Sequence, residues 1–466
     1  MIFSSLAFFV FIAVVGGLFA AFKGDRFRRA LLLGASFVFY GWWDWRFLLL
    51  ITGSSVWSWW WGDRVSRTAD GPRRKLYLWI GLCGDLGSLA FFKYADFFVQ
   101  SFAQAFGIEH LGALGITLPV GISFFTFQTM SYTIDLYRGR IARCDDLPKF
   151  LLFVSFFPQL VAGPIVRASE FLDQLDRPVR SSAAHVRAGA QLFLLGFVQK
   201  TLVADNLSVF VDPVFAEPAL YDTATLWLGM FAYGGQIFCD FAGYSLMAIG
   251  VARVFGFHLP ENFHTPYLSR SITEFWRRWH ITLSSWLRDY LYIALGGNRQ
   301  GPVRTDVNLL LTMLLGGLWH GAGWNFVLWG GAHGLALAVH RHWGVHPNHI
   351  ARSSLLRQTA GWAATLVGVH LLWVPFRAAD FGTTWTFLQG LLGDAGTVRW
   401  WPPRTVALLA ALAGWHALHL LRPAWVRKLP AQDPLAWGPL TVLALLVLGL
   451  LMFAPLEASP FIYFQF

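Results

Sequence analysis

Charge is what this sequence lacks most. Only 13% of its 466 residues are Asp, Glu, Lys or Arg, against roughly 25% in soluble domains. A chain so poor in charge cannot present a water-facing surface everywhere, which argues against the string of soluble domains its length would suggest. Cysteine is also scarce. Cys83, Cys144 and Cys239 lie far apart and form no CxxC pair, so neither a disulfide framework nor a zinc site is indicated, and no metal is expected. There is no Walker loop, no GxGxxG after a strand, no GxSxG elbow and no HExxH. ATP-driven transport, dinucleotide redox chemistry and intramembrane zinc proteolysis therefore lose support. No repeat of fixed period and no Ser/Pro-rich linker divides the chain, so a single integral-membrane domain spanning 1–466 is expected.

What the sequence has is apolar and aromatic surface. Hydrophobic residues make up 56% of the chain, with 24 Trp and 43 Phe, a composition suited to lipid with aromatic belts at its edges. A spanning helix needs about 20 mostly apolar residues. Apolar runs fall at 2–22, 76–104, 117–137, 147–166, 186–204, 224–256, 307–320, 323–340, 358–376, 405–421 and 437–455. The stretch 30–62 reads as two shorter spans broken near Trp42-Trp43-Asp44. The run 224–256 is too long for one upright span and is either two helices or one tilted helix. The expectation is an all-α, polytopic bundle of about 11 to 13 transmembrane or re-entrant segments. Ile2–Phe22 has its basic cluster on the C-terminal side, and reads as a retained first helix rather than a signal peptide.

The net charge of +10 does not point to nucleic acid, because the basic residues sit in short loops between apolar runs. Lys23–Arg29, Arg64–Lys75, 341–357 and 422–428 are the basic loops, and the positive-inside rule places them in the cytoplasm. Both termini and the near-neutral loop 377–404 then lie outside. Membrane lipids are the expected surroundings.

The stretch 257–306 is too polar to face lipid and too aromatic for an ordinary loop. It reads as interfacial helices plus a segment buried in protein. It holds Phe275-Trp276-Arg277-Arg278-Trp279-His280, then Trp286-Leu287-Arg288-Asp289-Tyr290. At helical spacing Trp279, Leu283, Trp286 and Tyr290 share one side. Arg277, Arg278 and Arg288 are placed to reach phosphates. One reading is an amphipathic helix anchored to headgroups. The sharper one sets the arginines near an anionic donor, with His280 pointing into a cavity.

A second constellation is Gly316-Gly317-Leu318-Trp319-His320-Gly321, then Trp324-Asn325 and Gly330-Gly331-Ala332-His333-Gly334. Ionisable residues at membrane depth usually face a cavity or the bundle interior. His320 lies at an expected helix break, and broken helices at that depth line a cavity or are buried in protein. Histidine also titrates nearest neutral pH, as a general base requires. His333, in a Gly-x-x-x-Gly setting, is read as a packing residue that hydrogen-bonds across helices. Asp240-Phe241-Ala242-Gly243-Tyr244-Ser245 puts an acid, a phenol and a hydroxyl in a long apolar run. Asp240 needs a partner, with an Arg or His from 270–320 as candidate, and a purely structural ion pair as the alternative. Lys93 reads as a snorkelling side chain, and Trp373–Arg377 as a helix end with an interfacial anchor. From the residues alone the reading stops at a membrane protein with a polar, histidine-containing cavity.

Taken in order, these motifs resemble the membrane-bound O-acyltransferase (MBOAT) family, and within it the bacterial alginate O-acetyltransferase membrane subunits. The residues that carry the resemblance are Leu118–Phe125, Phe157–Ile165, Asp240–Ser245, Phe275–His280 and Trp319–His333, over about residues 1 to 380. The resemblance implies N-terminal helices over 1–110, a core over 111–345 around a central tunnel, and C-terminal helices over 346–466. It implies that His320 is catalytic and that His280 lies across the same cavity, orienting the donor carbonyl or stabilising developing negative charge. Arg277, Arg278, Trp279, Trp319, Asn325, Asp240 and Tyr244 are the candidate donor- or substrate-binding residues. It further implies acetyl-CoA as donor, no bound cofactor, a periplasmic acetyltransferase or acceptor protein as partner, and a multi-pass position in the bacterial inner membrane. Alginate, cellulose or another exopolysaccharide would be the acceptor. A D-alanyl exporter of the same fold, a lipid acyltransferase and a non-enzymatic export subunit are the rival readings.

Overall fold

A computed structural model describes residues 1–108, 112–161, 163–343, 354–421, 449 and 461–462. Among the described residues there is no strand, only an isolated bridge between Tyr221 and Val398; the rest is helix, turn and loop. The all-α expectation holds. The expected span 437–455 lies outside the described residues except for Gly449, as do the loop 422–428 and residues 344–353 of the loop 341–357.

Among the described residues, five helices suffice by length and composition to cross a membrane: Pro72–Phe106, Ala183–Ala216, Thr223–Val254, Leu355–Arg377 and Pro403–Leu421. The run at 224–256 is one helix of 32 residues, about 48 Å long at 1.5 Å per residue. That exceeds the ~30 Å hydrocarbon core, so in a bilayer such a helix tilts or projects beyond it. Many large apolar side chains point outward, among them Leu6, Val10, Leu49, Trp60, Leu335 and Leu355. An outer surface of this kind suits lipid and not water.

The chain divides into two compact units, one of Met1–Ala190 with Ala248–Pro260, the other of Gln191–Met247 with Glu261–Phe466. The first holds α1 (Leu6–Ala21), α2 (Asp25–Gly41), α3 (Arg46–Arg67), α4 (Pro72–Phe106), α5 (Ile122–Tyr137), α6 (Leu147–Ser155), the single turn α7 (Phe157–Leu160) and α8 (Ala168–Leu175). The break expected near Trp42-Trp43-Asp44 is the turn between α2 and α3, where Asp44 Oδ1 accepts the Arg46 backbone N–H at 2.9 Å. Lys93 does not reach outward as expected; its Nζ lies 3.4 Å from Ser123 Oγ.

The apolar run 147–166 is not one span. The helix stops at Ser155, and the single turn α7 follows. Pro158 has no N–H to give the Val154 carbonyl, and Pro164 disfavours helical backbone at Gly163. Side chains take up the backbone groups this frees: Ser36 Oγ accepts the Phe157 N–H at 3.1 Å, and Gln159 Nε2 donates to the Phe153 carbonyl at 2.6 Å. Gly121 has φ of +76°, and a Cβ there would sit 2.6 Å from the Leu160 carbonyl oxygen. Only glycine satisfies both conditions without strain.

In chain order the remaining helices begin with α9 (Ala183–Phe197), which runs through a π-helical segment, Val198–Ala204, into α10 (Asp205–Ala216). Then come α11 (Thr223–Val254), α12 (Ile272–Trp276), α13 (Ile281–Trp286), α14 (Pro302–His320), α15 (Trp324–His342), α16 (Leu355–Arg377), α17 (Phe381–Leu391) and α18 (Pro403–Leu421). Glycines set the close approaches in the second unit. Gly196 meets the backbone of Gly243, and Gly317 of α14 faces Gly330 of α15; a methyl group at either helix face would overlap main-chain atoms opposite.

Candidate active site

All the site residues described here belong to the second unit. The stretch 257–306 is short helices joined by turns and loops, and the buried segment expected there lies around Trp279 and His280. The segment Phe275–Tyr290 is not one amphipathic helix, however: α12 ends at Trp276 and α13 starts at Ile281. Trp279, Leu283, Trp286 and Tyr290 are all buried, so the apolar face was legible although its helix is broken.

The break is at His280. Its backbone has φ 42° and ψ 56°, a left-handed conformation that costs a non-glycine residue about 1–3 kcal/mol and clusters at functional sites. The side chain is fully buried. Phe241 meets the imidazole edge-on at 4.6 Å between centroids, and Trp319 lies at 5.9 Å. Nδ1 is 3.0 Å from Asn262 Oδ1. Nε2 is buried and has no hydrogen-bond partner among the described residues.

His320 arrives by a different route. It is the last residue of α14, and Gly321 and Gly323 continue in extended conformation before α15 starts at Trp324. The expected helix break is therefore present. His320 is 4% exposed, a number that matters because it leaves the ring screened from bulk water. Trp319, Trp329 and Phe376 surround it at 5.0, 5.1 and 5.4 Å between centroids. The His280 and His320 rings are 6.4 Å apart. Two imidazoles from two broken segments thus meet in one aromatic-walled place.

His333 is separate. Its ring stacks on Phe275 with an 8° interplanar angle and meets Trp329 at 4.7 Å. Neither ring nitrogen has a hydrogen-bond partner among the described residues. It packs, as expected, but through stacking and not through the expected hydrogen bond across helices.

The other candidates divide. Trp319 lines the histidine pair. Asn325 is buried in the first turn of α15, where Nδ2 donates to the Ala378 carbonyl at 2.9 Å. Trp279 is buried among Phe275, Phe263 and Trp373, a core position. Arg278 is engaged by Glu274 at 2.8 Å and by Thr265 Oγ1 at 3.2 Å. Arg277 is exposed. Tyr244 is buried against Phe461.

Asp240 has a partner that the sequence reading missed. No Arg or His of 270–320 is paired with it. Lys200 Nζ lies 2.6 Å from Asp240 Oδ1 and 2.7 Å from Asp205 Oδ1, all three side chains being buried. Asp240 Oδ2 also accepts the Ile462 backbone N–H at 2.7 Å. The π-helical segment explains the spacing. There the Asp205 N–H donates to the Lys200 carbonyl five residues back, and that wider turn sets Lys200 and Asp205 within ion-pair distance of each other. A lone lysine in the apolar run 186–204 was the available signal. Arg377, at the end of α16, pairs with Asp212 at 2.7 Å, consistent with an anchored helix end.

The model of the MBOAT, membrane-bound O-acyltransferase family, matches residues 140–367. The chain belongs to that family, and it is a multi-pass membrane acyltransferase. Among its relatives is the probable alginate O-acetylase AlgI of Pseudomonas aeruginosa, 44% identical over 84% of this chain and 75% of that one. The probable alginate O-acetylase AlgI of Pseudomonas putida is 40% identical over the full length of both. The peptidoglycan O-acetyltransferase of Helicobacter pylori is 37% identical over 80% of this chain and 75% of its own.

Proposed function

We propose that this chain passes acetyl groups from cytoplasmic acetyl-CoA across the bacterial inner membrane toward a secreted polysaccharide, with a periplasmic acetyltransferase or acceptor protein receiving them. The observation that carries the reading is the pair of buried imidazoles, His280 and His320, 6.4 Å apart inside a wall of aromatic rings. The names of the two Pseudomonas relatives favour alginate as the acceptor. The Helicobacter relative's name favours a second reading, in which the acceptor is peptidoglycan.

The chemistry follows from the groups present. An acceptor hydroxyl attacks the thioester carbonyl while His320 removes its proton. The tetrahedral intermediate collapses, the C–S bond breaks, and the leaving thiolate takes the proton from His320. The products are an ester and free CoA thiol, with no net change at the imidazole. Such a base contributes about 10² to 10⁴ in rate. Trp319, Trp329 and Phe376 exclude water, which protects the thioester from hydrolysis.

The test supplies the purified chain in lipid discs, its periplasmic partner, and acyl-CoA donors of increasing chain length, with thiol release and radiolabel transfer as readouts. Acetyl-CoA is expected to turn over at least tenfold faster than a long-chain donor. Turnover of long-chain donors alone would identify a lipid acyltransferase, and no turnover even with partner present would favour an export role without chemistry.

A further inference from the structure

We infer that Asn262 is a positioning residue of this site, fixing the tautomer of His280 so that Nε2 presents a lone pair. The inference rests on the reading of the histidine pair given above and assigns a direction to one of its members.

The orientation of the Asn262 amide is determined by its neighbours. Oδ1 faces the Thr282 backbone N–H at 3.4 Å and accepts from the Thr282 hydroxyl at 2.9 Å. A backbone N–H only donates, so the atom it faces is the oxygen. The amide nitrogen, Nδ2, donates to Ser245 Oγ at 3.1 Å. His280 Nδ1 lies 3.0 Å from that same Oδ1. An unprotonated Nδ1 would set two lone pairs against each other, so Nδ1 carries the hydrogen. In the neutral ring the lone pair is then on Nε2.

The Asn262 backbone carbonyl also accepts the Ile281 N–H at 2.9 Å. Asn262 therefore holds three successive residues, 280 to 282, around the left-handed turn at His280. Asn262, Ser245, Thr282 and His280 are all buried, so water does not compete for these bonds.

The consequence is chemical. A neutral His280 in this tautomer accepts a hydrogen bond through Nε2 and does not donate one. It suits a hydroxyl or an N–H as its partner, and not a thioester carbonyl oxygen. The role expected of it at the outset, orienting the donor carbonyl or stabilising an oxyanion, gives way to holding the attacking hydroxyl or the N–H of His320.

The rings packed on His280 are Phe241, Phe263, Trp319 and His320. His320 is the titratable one among them. Asp240, next to Phe241, is engaged by Lys200.

The test measures thiol release from acetyl-CoA across pH for wild type, Asn262→Ala and Asn262→Asp in lipid discs. Asn262→Ala is expected to lose at least tenfold in kcat with the KM for acetyl-CoA within threefold of wild type. Asn262→Asp keeps the accepting oxygen and adds negative charge beside Nδ1–H, so it is expected to retain activity while the acid limb of its profile moves to higher pH by half a unit or more. If Asn262→Ala fails to insert, Asn262→Asp decides alone: a moved limb supports the assignment and an unmoved one overturns it. Wild-type kcat and an unmoved limb in both variants also overturn it. A His320→Ala control separates the two ideas, because full turnover in that control removes the underlying reading itself.

Discussion

Burying a charge is costly unless it is paired, and the second unit buries three charged side chains together. Lys200 sits between two carboxylates, Asp205 and Asp240, at 2.7 and 2.6 Å. Removing one member of a buried ion cluster strands the others, at a cost of about 3–5 kcal/mol. Lys200→Met is therefore expected to lower the thermal midpoint of the detergent-solubilised protein markedly, and adding Asp205→Asn and Asp240→Asn to recover most of the loss, as read by a thermal-shift assay. A single and a triple variant of equal stability would contradict this account of the cluster. At this scale the sequence was partly legible. His280 and His320 stood out because ionisable groups are rare in apolar surroundings. Asn262 did not, since an asparagine in a polar, proline-flanked stretch looks like loop chemistry. Lys200 did not, because Asp240 of α11 is forty residues away and Asp205 comes within reach only through the π-helical turn.

At the scale of elements, glycines and prolines decide the geometry. Apolar runs located the helices of fifteen residues or more among the described residues, and missed the shorter α8, α10 and α17. They overestimated 147–166, where Pro158 and Pro164 end the helix, and they did not reveal that α12 and α13 are interrupted at His280. Hydrophobic periodicity continues through such a turn, because burial selects apolar side chains on either side of it. The glycine-rich run before His320 has a packing purpose. Gly317 and Gly330 let α14 and α15 approach until their backbones nearly touch. Gly317→Ala pushes α14 away three residues before His320. Misplacement of a catalytic group by about 1 Å can cost 10²-fold in rate. The expected result is at least a tenfold fall in turnover with membrane insertion preserved, read by kinetics alongside a protease-protection assay. Wild-type turnover would show that the close approach is not needed to aim His320.

At the scale of the whole molecule, some buried ionisable side chains of the second unit lie where helices break or widen. His320 ends α14, His280 occupies the turn before α13, and the π-helical segment carries Lys200. Non-helical backbone at membrane depth is tolerated where protein surrounds it. The rings of Trp319, Trp329, Phe376 and Phe241 supply that cover around the histidines. The fold class and family were legible in the sequence because apolar runs and motif order survive without knowledge of contacts. The pairing of the two imidazoles rested on resemblance until the geometry placed them 6.4 Å apart.

The most direct measurement is acetyl transfer by His320→Ala, compared with wild type at matched levels of inserted protein and with the proposed periplasmic partner supplied. The account predicts a fall in kcat of about 10² or more, the size of a lost general base, with insertion and thermal stability near wild type. Full acetyl transfer by a normally inserted His320→Ala protein would contradict it.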